Sequence, residues 1–238
     1  MNPIILNILK ERCATVPISY RDFIELALYH PEVGYYSTNR SRVGPSRNND
    51  FYTAESLGTV FSQLVIDSLC TLLNTENLSP YHFVEIGAEP NHSLLDSLPT
   101  KPFKKYSVLR PGDNLSTEGE PCIIFANEWL DALPFHRLRY QDNAWRERAV
   151  YLNDAGVLEE HLLDTLSPEL LNLAKSLPDE SSEGYEIDLS SDVEIHINRL
   201  MEEDWHGLLL FFDYGKTWRE LTQAMPNGSA RTYAHHQQ

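Results

Sequence analysis

Three short apolar runs constrain this chain more than any other feature. They are Y-H-F-V-E-I-G-A from Tyr81 to Ala88, P-C-I-I-F-A from Pro121 to Ala126, and G-L-L-L-F-F-D from Gly207 to Asp213. None alternates polar with apolar residues, as a strand with one wet face would. They suit strands buried on both faces, the environment that helices create over a parallel sheet. Lys105 to Leu109 is a weaker strand candidate, and a strand or hairpin is expected near Arg146 to Leu152. Helical spacing recurs at Ile4, Ile5, Ile8 and Leu9, again from Ser19, where Asp22 forms an imperfect capping box, and along Leu57 to Leu72. Further helical stretches are expected around 168–177 and 190–204. The chain therefore reads as a mainly parallel α/β sheet, in which ligands bind beyond the carboxyl ends of the strands.

Residues 38–49 are polar and contain Gly44-Pro45, which reads as a mobile loop, and D-E-S-S-E at 179–183 reads as a solvated one. The expected division is an N-terminal helical extension with a lid loop over 1–78, then a sheet domain over 79–238. The chain has 238 residues and a formal charge of −16. That surface repels nucleic-acid phosphates and anionic membranes, with no run of Lys or Arg to offset it. It would favour a cationic partner or substrate, although acidity also serves solubility alone. Cys13, Cys70 and Cys122 are scattered, which argues against a disulfide framework or a zinc site and suggests a reducing, cytoplasmic setting. No segment approaches the ~20 apolar residues of a membrane span.

The residues that carry chemistry follow the strands. Glu85 and Gly87 end the first, where glycine would let the backbone approach a ligand, or would simply close a buried strand. Asn127, Glu128 and Asp131 follow the second. Two carboxylates three residues apart would cap a helix there, or grip a cation such as a planar guanidinium. F-F-D-Y-G (Phe211 to Gly215) places Asp213 before a glycine turn, and N-D-F-Y-T-A (Asn49 to Ala54) brings aromatic and hydroxyl groups together.

Taken in order, seven segments resemble the MidA family of class I S-adenosylmethionine-dependent methyltransferases. These are I-S-Y-R-D-F-I-E-L-A-L-Y-H-P-E-V-G-Y-Y-S from Ile18, D-F-Y-T-A-E, V-E-I-G-A, A-N-E-W-L-D-A-L-P, W-R-E-R-A-V, Y-E-I-D-L-S and F-F-D-Y-G. The resemblance runs from about residue 18 to residue 236. It implies a Rossmann-like methyltransferase sheet with an N-terminal helical extension, and S-adenosyl-L-methionine as cofactor. Through the mitochondrial relatives it also implies methylation of an arginine on a protein, a respiratory complex I subunit. Asp50, Tyr52 and Thr53 would border the cofactor or substrate entrance. Glu85, Gly87 and Asn127 would shape the cofactor site, with Glu128 and Asp131 facing the reacting centre. Glu186, Asp213 and His236 match further family positions, without a derived role.

The chain also departs from that pattern. The family's glycine-rich loop becomes Ala88-Glu89-Pro90-Asn91-His92 after Gly87, and Pro90 fixes its backbone and offers no N–H. Leu109 or Arg110 stands where an acid would bind the ribose. Such a bond is worth roughly 1.5–3 kcal/mol. Losing it together with loop contacts is expected to weaken cofactor binding to the high micromolar range or beyond. About a dozen residues separate the Lys105 to Leu109 strand from C-I-I-F-A-N-E, too few for a helix and another strand, and the sheet is expected to be incomplete at its C-terminal edge. Three readings stay open: an arginine methyltransferase, a homologue that binds a protein partner without catalysis, or a pocket remodelled for another nucleotide.

Overall fold

A computed structural model describes residues 2–13, 16–38, 42–43, 50, 53–90 and 92–231. In chain order the elements begin with α1 (Pro3–Arg12), β1 (Ile18–Ser19), α2 (Tyr20–Tyr29) and α3 (Thr59–Leu73). Then come β2 (His82–Ile86), β3 (Lys105–Leu109), β4 (Pro121–Asn127), β5 (His136–Gln141) and β6 (Ala144–Leu152). The last are β7 (Leu158–Leu162), β8 (Glu186–Leu189), α4 (Ser191–Glu202), β9 (His206–Phe212) and α5 (Trp218–Gln223). Ser19 caps α2 as its sequence suggests, its hydroxyl accepting the Asp22 amide at 3.1 Å.

These elements pack as two compact units, and a cut at residue 78 follows neither. One unit takes residues 1–38, 133–196 and 215–231; the other takes 39–132, 197–214 and 232–238. The segment expected to form one N-terminal extension is thus shared between them.

In the first unit β1, β5, β6, β7 and β8 form an antiparallel sheet. The expectation of a mainly parallel sheet is corrected here. The local cause is the turn between β5 and β6, where Asp142 and Asn143 have φ of 52° and 60° and Gln141 pairs with Ala144. Two successive left-handed residues make the turn whose twist matches an antiparallel hairpin. W-R-E-R-A-V and Y-E-I-D-L-S lie on β6 and β8 and build an ionic hub. Glu186 receives the guanidinium groups of Arg137, Arg139 and Arg148 at 2.9, 2.5 and 2.8 Å. Arg137 and Arg148 also lie 5.4 and 5.2 Å from the Tyr20 ring. The helix expected around 168–177 is instead two short 3-10 turns, Pro168–Leu170 and Leu173–Ser176. Pro178 explains its early end, since the residue before a proline is driven extended, and Leu177 has ψ of 147°.

The second unit holds the parallel sheet, ordered β3-β2-β4-β9, and all three of its contacts are parallel. The apolar runs at 81–88, 121–126 and 207–213 are therefore neighbours, as expected. Alternation along the strands sends Phe83, Ile123 and Phe125 to one face, against Phe61, Val65 and Leu69 of α3. Val84, Ile86, Cys122 and Ile124 go to the other face, with Leu115 and Leu200. β9 can lie against β4 because residue 207 is glycine: a Cβ there would fall 2.1 Å from the Cys122 carbonyl oxygen. Among the described residues the sheet ends at β3 and β9, and β3 reaches β4 through residues 110–120 without a helix.

Candidate functional site

Register brings the carboxyl ends of three strands level. Ile86 pairs with Ala126, and Ala126 with Phe211. The next residues along each strand, Gly87, Asn127 with Glu128, and Asp213, therefore emerge together at one end of the second unit's sheet, where an α/β fold presents ligands.

No helix follows β4. Residues 128–135 form a turn, so the capping alternative for Glu128 and Asp131 has no helix to cap. The turn opens on Glu128 at φ 50°, a left-handed conformation uncommon for a residue with a side chain. The Glu128 amide donates to the Phe212 carbonyl at 2.8 Å. The Asp213 carboxylate closes the turn from the neighbouring strand: one oxygen accepts the Leu130 amide at 2.6 Å and, more weakly, that of Asp131 at 3.4 Å. Asp213 thus gains a role the sequence did not reveal. Trp129 packs beside Phe211 and against Gly87, where an added Cβ would meet its ring at 3.3 Å. Gly87 has φ +79°, so both backbone and packing require the glycine before any ligand is considered.

The carboxylates crowd one another. Burial and then the Asp213 charge raise Asp131 to about 6. Burial followed by Asp131 pushes Glu128 up, and a hydrogen bond from the Tyr214 hydroxyl at 3.4 Å opposes this. A further acid, Glu55, escaped the sequence reading although it ends D-F-Y-T-A-E. It sits on a 3-10 turn, Ala54–Leu57, and nothing in its local spacing places it beside residues far along the chain. Burial, then Glu85, Glu89 and Glu128, raise it to about 8. Such a set needs a cation to be content in its ionised form. Among the described residues no group of His, Cys, Asp and Glu is arranged to hold a metal.

Other expected residues are placed differently. The Glu85 carboxylate is buried and already engaged, accepting the Leu94 amide at 3.0 and 3.1 Å and the Tyr106 hydroxyl at 2.6 Å. It ties the return of the loop and the edge strand to β2. Thr53 is 7% exposed and its Oγ1 has no hydrogen-bond partner, an orphaned polar atom that a ligand would satisfy. Tyr52 and His236 lie outside the described residues, as do most positions of the expected loop over 38–49.

These groups fit the cationic, sulfonium-bearing end of S-adenosyl-L-methionine, and its adenosine end finds less. Glu89, where a family glycine would stand, accepts the Arg42 amide at 2.7 Å, with the buried Arg42 guanidinium 3.7 Å away. β2 is followed not by a long helix but by a single 3-10 turn, Leu94–Ser97. Asp113 is spent within its own turn, accepting the Arg110 amide at 2.8 Å.

The sequence is 22% identical to the Drosophila melanogaster mitochondrial protein arginine methyltransferase NDUFAF7 homolog, over 85% of this chain and 58% of that protein. It is 23% identical to the Danio rerio mitochondrial protein arginine methyltransferase NDUFAF7, over 85% of this chain and 59% of that protein. The chain thus spans under two thirds of the length of these curated relatives. A crystal structure of a Burkholderia thailandensis protein bound to S-adenosyl-homocysteine superposes with a TM-score of 0.77 at 19% identity. That match covers 100% of this chain and 71% of the other. A second Burkholderia thailandensis structure, of an uncharacterized protein, gives 0.72 at 21% identity over 96% of this chain and 67% of the other. At such identities the likeness speaks for the fold alone. Residues 62–238 match the family model described as putative S-adenosyl-L-methionine-dependent methyltransferase, and the chain belongs to that family, the MidA-like proteins its motifs resemble.

Proposed function

We propose that this protein transfers a methyl group from S-adenosyl-L-methionine to an arginine side chain of a partner protein, with the parallel sheet serving as a Rossmann-like core. The observation that carries this is the convergence of Glu128 and Asp131, braced by Asp213, in a turn beyond the strand ends. Carboxylates that raise one another's proton affinity are relieved by a cation, and a guanidinium offers a planar, permanently charged one. When bound, S-adenosyl-L-methionine supplies a methyl group on a positively charged sulfur. Thr53, Asn127 and Gly87 are the residues we assign to its neighbourhood. Glu128 and Asp131 orient the guanidinium, which stays protonated at neutral pH and is a weak nucleophile until held in line. Asp213 acts through the backbone by fixing the turn. The named activities of the relatives and the family resemblance support the arginine, and the family resemblance points to a respiratory complex I subunit as its bearer. A cytoplasmic site of action is likewise a proposal, motivated by the scattered cysteines.

The test compares Glu128→Gln and Asp131→Asn with wild type on an arginine-bearing peptide. Both should lose peptide binding or methylation by tenfold or more, on the order of one charge-assisted bond each, with little change in melting. Unchanged peptide binding in both variants would remove the reading. A second reading, partner binding without turnover, is favoured by the Arg42–Glu89 pair and by Leu109 where a ribose acid would stand. It forecasts a calorimetric dissociation constant for S-adenosyl-L-methionine in the high micromolar range or weaker, tightened by Glu89→Gly and Asn91→Gly together with Leu109→Glu. Low-micromolar binding by the unmodified protein would exclude it.

A further inference from the structure

We infer that Glu55 is the group that takes the proton from the guanidinium as its nitrogen accepts the methyl group, an assignment that rests on the arginine reading above. The geometry begins with the 3-10 turn Ala54–Leu57, whose first amide, that of Ala54, reaches the Glu128 carboxylate by hydrogen bond. Glu55 follows directly, so the element that meets the guanidinium-holding residue also carries a second carboxylate. Thr53, immediately before the turn, keeps a buried hydroxyl oxygen without a partner. The charged groups that act on Glu55 are Glu85 at the end of β2, Glu89 in the loop beyond it, and Glu128 beyond β4. The helix that continues from the turn, α3, carries a single charged residue, Asp67, which is exposed. Among the described residues the charged groups that act on Glu55 are all acidic, and the Arg42 guanidinium lies 3.7 Å from Glu89.

Chemistry requires a group of this kind. A guanidinium stays protonated at neutral pH and gives up a proton only as its nitrogen becomes bonded to carbon. An ordinary surface carboxylate accepts that proton poorly, whereas one whose affinity lies near the working pH accepts it well. Glu55, raised to about 8, is such a group. Entry of cations into the acidic set would drive its proton off, leaving a base. The guanidinium nitrogen then forms the N–C bond, and its N–H proton passes to a Glu55 oxygen. The electron pair of the broken S–C bond remains on sulfur as a neutral thioether. Guanidinium, sulfonium and carboxylate enter with a net charge of plus one. Methylguanidinium, thioether and carboxylic acid leave with the same. As the positive charge falls, the proton affinity of Glu55 recovers.

Calorimetric titration of the full chain with acetyl-arginine-amide, in buffers of different ionisation enthalpy at pH 7, reads the proton balance without turnover. Wild type should release about one proton more on binding than Glu55→Gln, while the two bind the probe within a few-fold of each other. Methylation by Glu55→Gln should fall at least a hundredfold. Glutamine matches the neutral form, so the variant should fold, and its melting curve checks this. Carbon-13 carboxyl titration of the free protein should show one glutamate ionising near 8 that Glu55→Gln removes. Probe binding with the same proton release in both proteins, or a Glu55 that ionises in the ordinary range, overturns the role of Glu55 and leaves the arginine reading standing. No probe binding by wild type at any pH overturns both.

Discussion

Glu128 bears two penalties at once, a left-handed backbone and a crowded carboxylate. A side chain at such a φ costs roughly 1–2 kcal/mol, and strain of this sort gathers where geometry matters more than stability. Glu128→Gly should therefore be as stable as wild type, or more stable by up to about 1 kcal/mol, while losing arginine binding. Glu128→Gln should keep the strain and lose only the charge; urea unfolding of the two variants separates the effects. Acidity makes a related forecast. Folded Asp131 and Glu55 hold protons more tightly than carboxyls of the unfolded chain, which ionise near 4. The folded state then binds more protons, so stability falls as pH rises. Asp131 contributes this loss from about 4 to about 6 and Glu55 from about 4 to about 8. Melting temperature should decline from pH 5 to pH 8, and Glu55→Gln should flatten the part above pH 6. The position of Glu128 and Asp131 just beyond a strand end was legible because they follow an apolar strand. Glu55 was not, because only the folded chain brings residue 55 beside residue 128.

At the scale of elements, the strands of the parallel sheet were readable because burial on both faces leaves continuous apolar runs. The antiparallel sheet was legible only near Arg146 to Leu152, where a strand or hairpin was expected and β6 runs, although Asp142-Asn143 carried a turn signal between β5 and β6. Its strands hold Arg137, Arg139 and Arg148, which pair with Glu186, and His136, which pairs with Glu147; these groups interrupt the apolar pattern that periodicity detects. The loop after β2 teaches a similar lesson. Read alone, Glu85 looked like a cofactor residue, yet its carboxylate binds the Leu94 amide and the Tyr106 hydroxyl in the interior. Glu85→Ala should leave both donors unmet and cost about 2–4 kcal/mol, seen as a lower urea midpoint with an unchanged slope. Gly87→Ala should disturb Trp129, because the new methyl meets the indole, and a shift in tryptophan emission would report it.

For the whole molecule, the two units interleave along the chain, which changes between them at 38/39, 132/133, 196/197, 214/215 and 231/232. A fragment of residues 79–238 removes α1, β1 and α2 from one unit, and from the other α3 with its core residues Phe61, Val65 and Leu69. It should fail to give a cooperative melt or dispersed amide resonances; a folded fragment would show that the units tolerate such a loss. The interleaving also orders events in time. β4 ends at Asn127, while its parallel partner β9 begins at His206. Emerging from the ribosome at about 5–20 residues per second, β4 waits several seconds with one apolar edge open, while the hairpin strands of the other unit come out and pair locally. A nascent chain of this design has its greatest need of chaperone shielding in that interval, and slowing translation between β4 and β9 should raise its aggregation more than slowing it anywhere else.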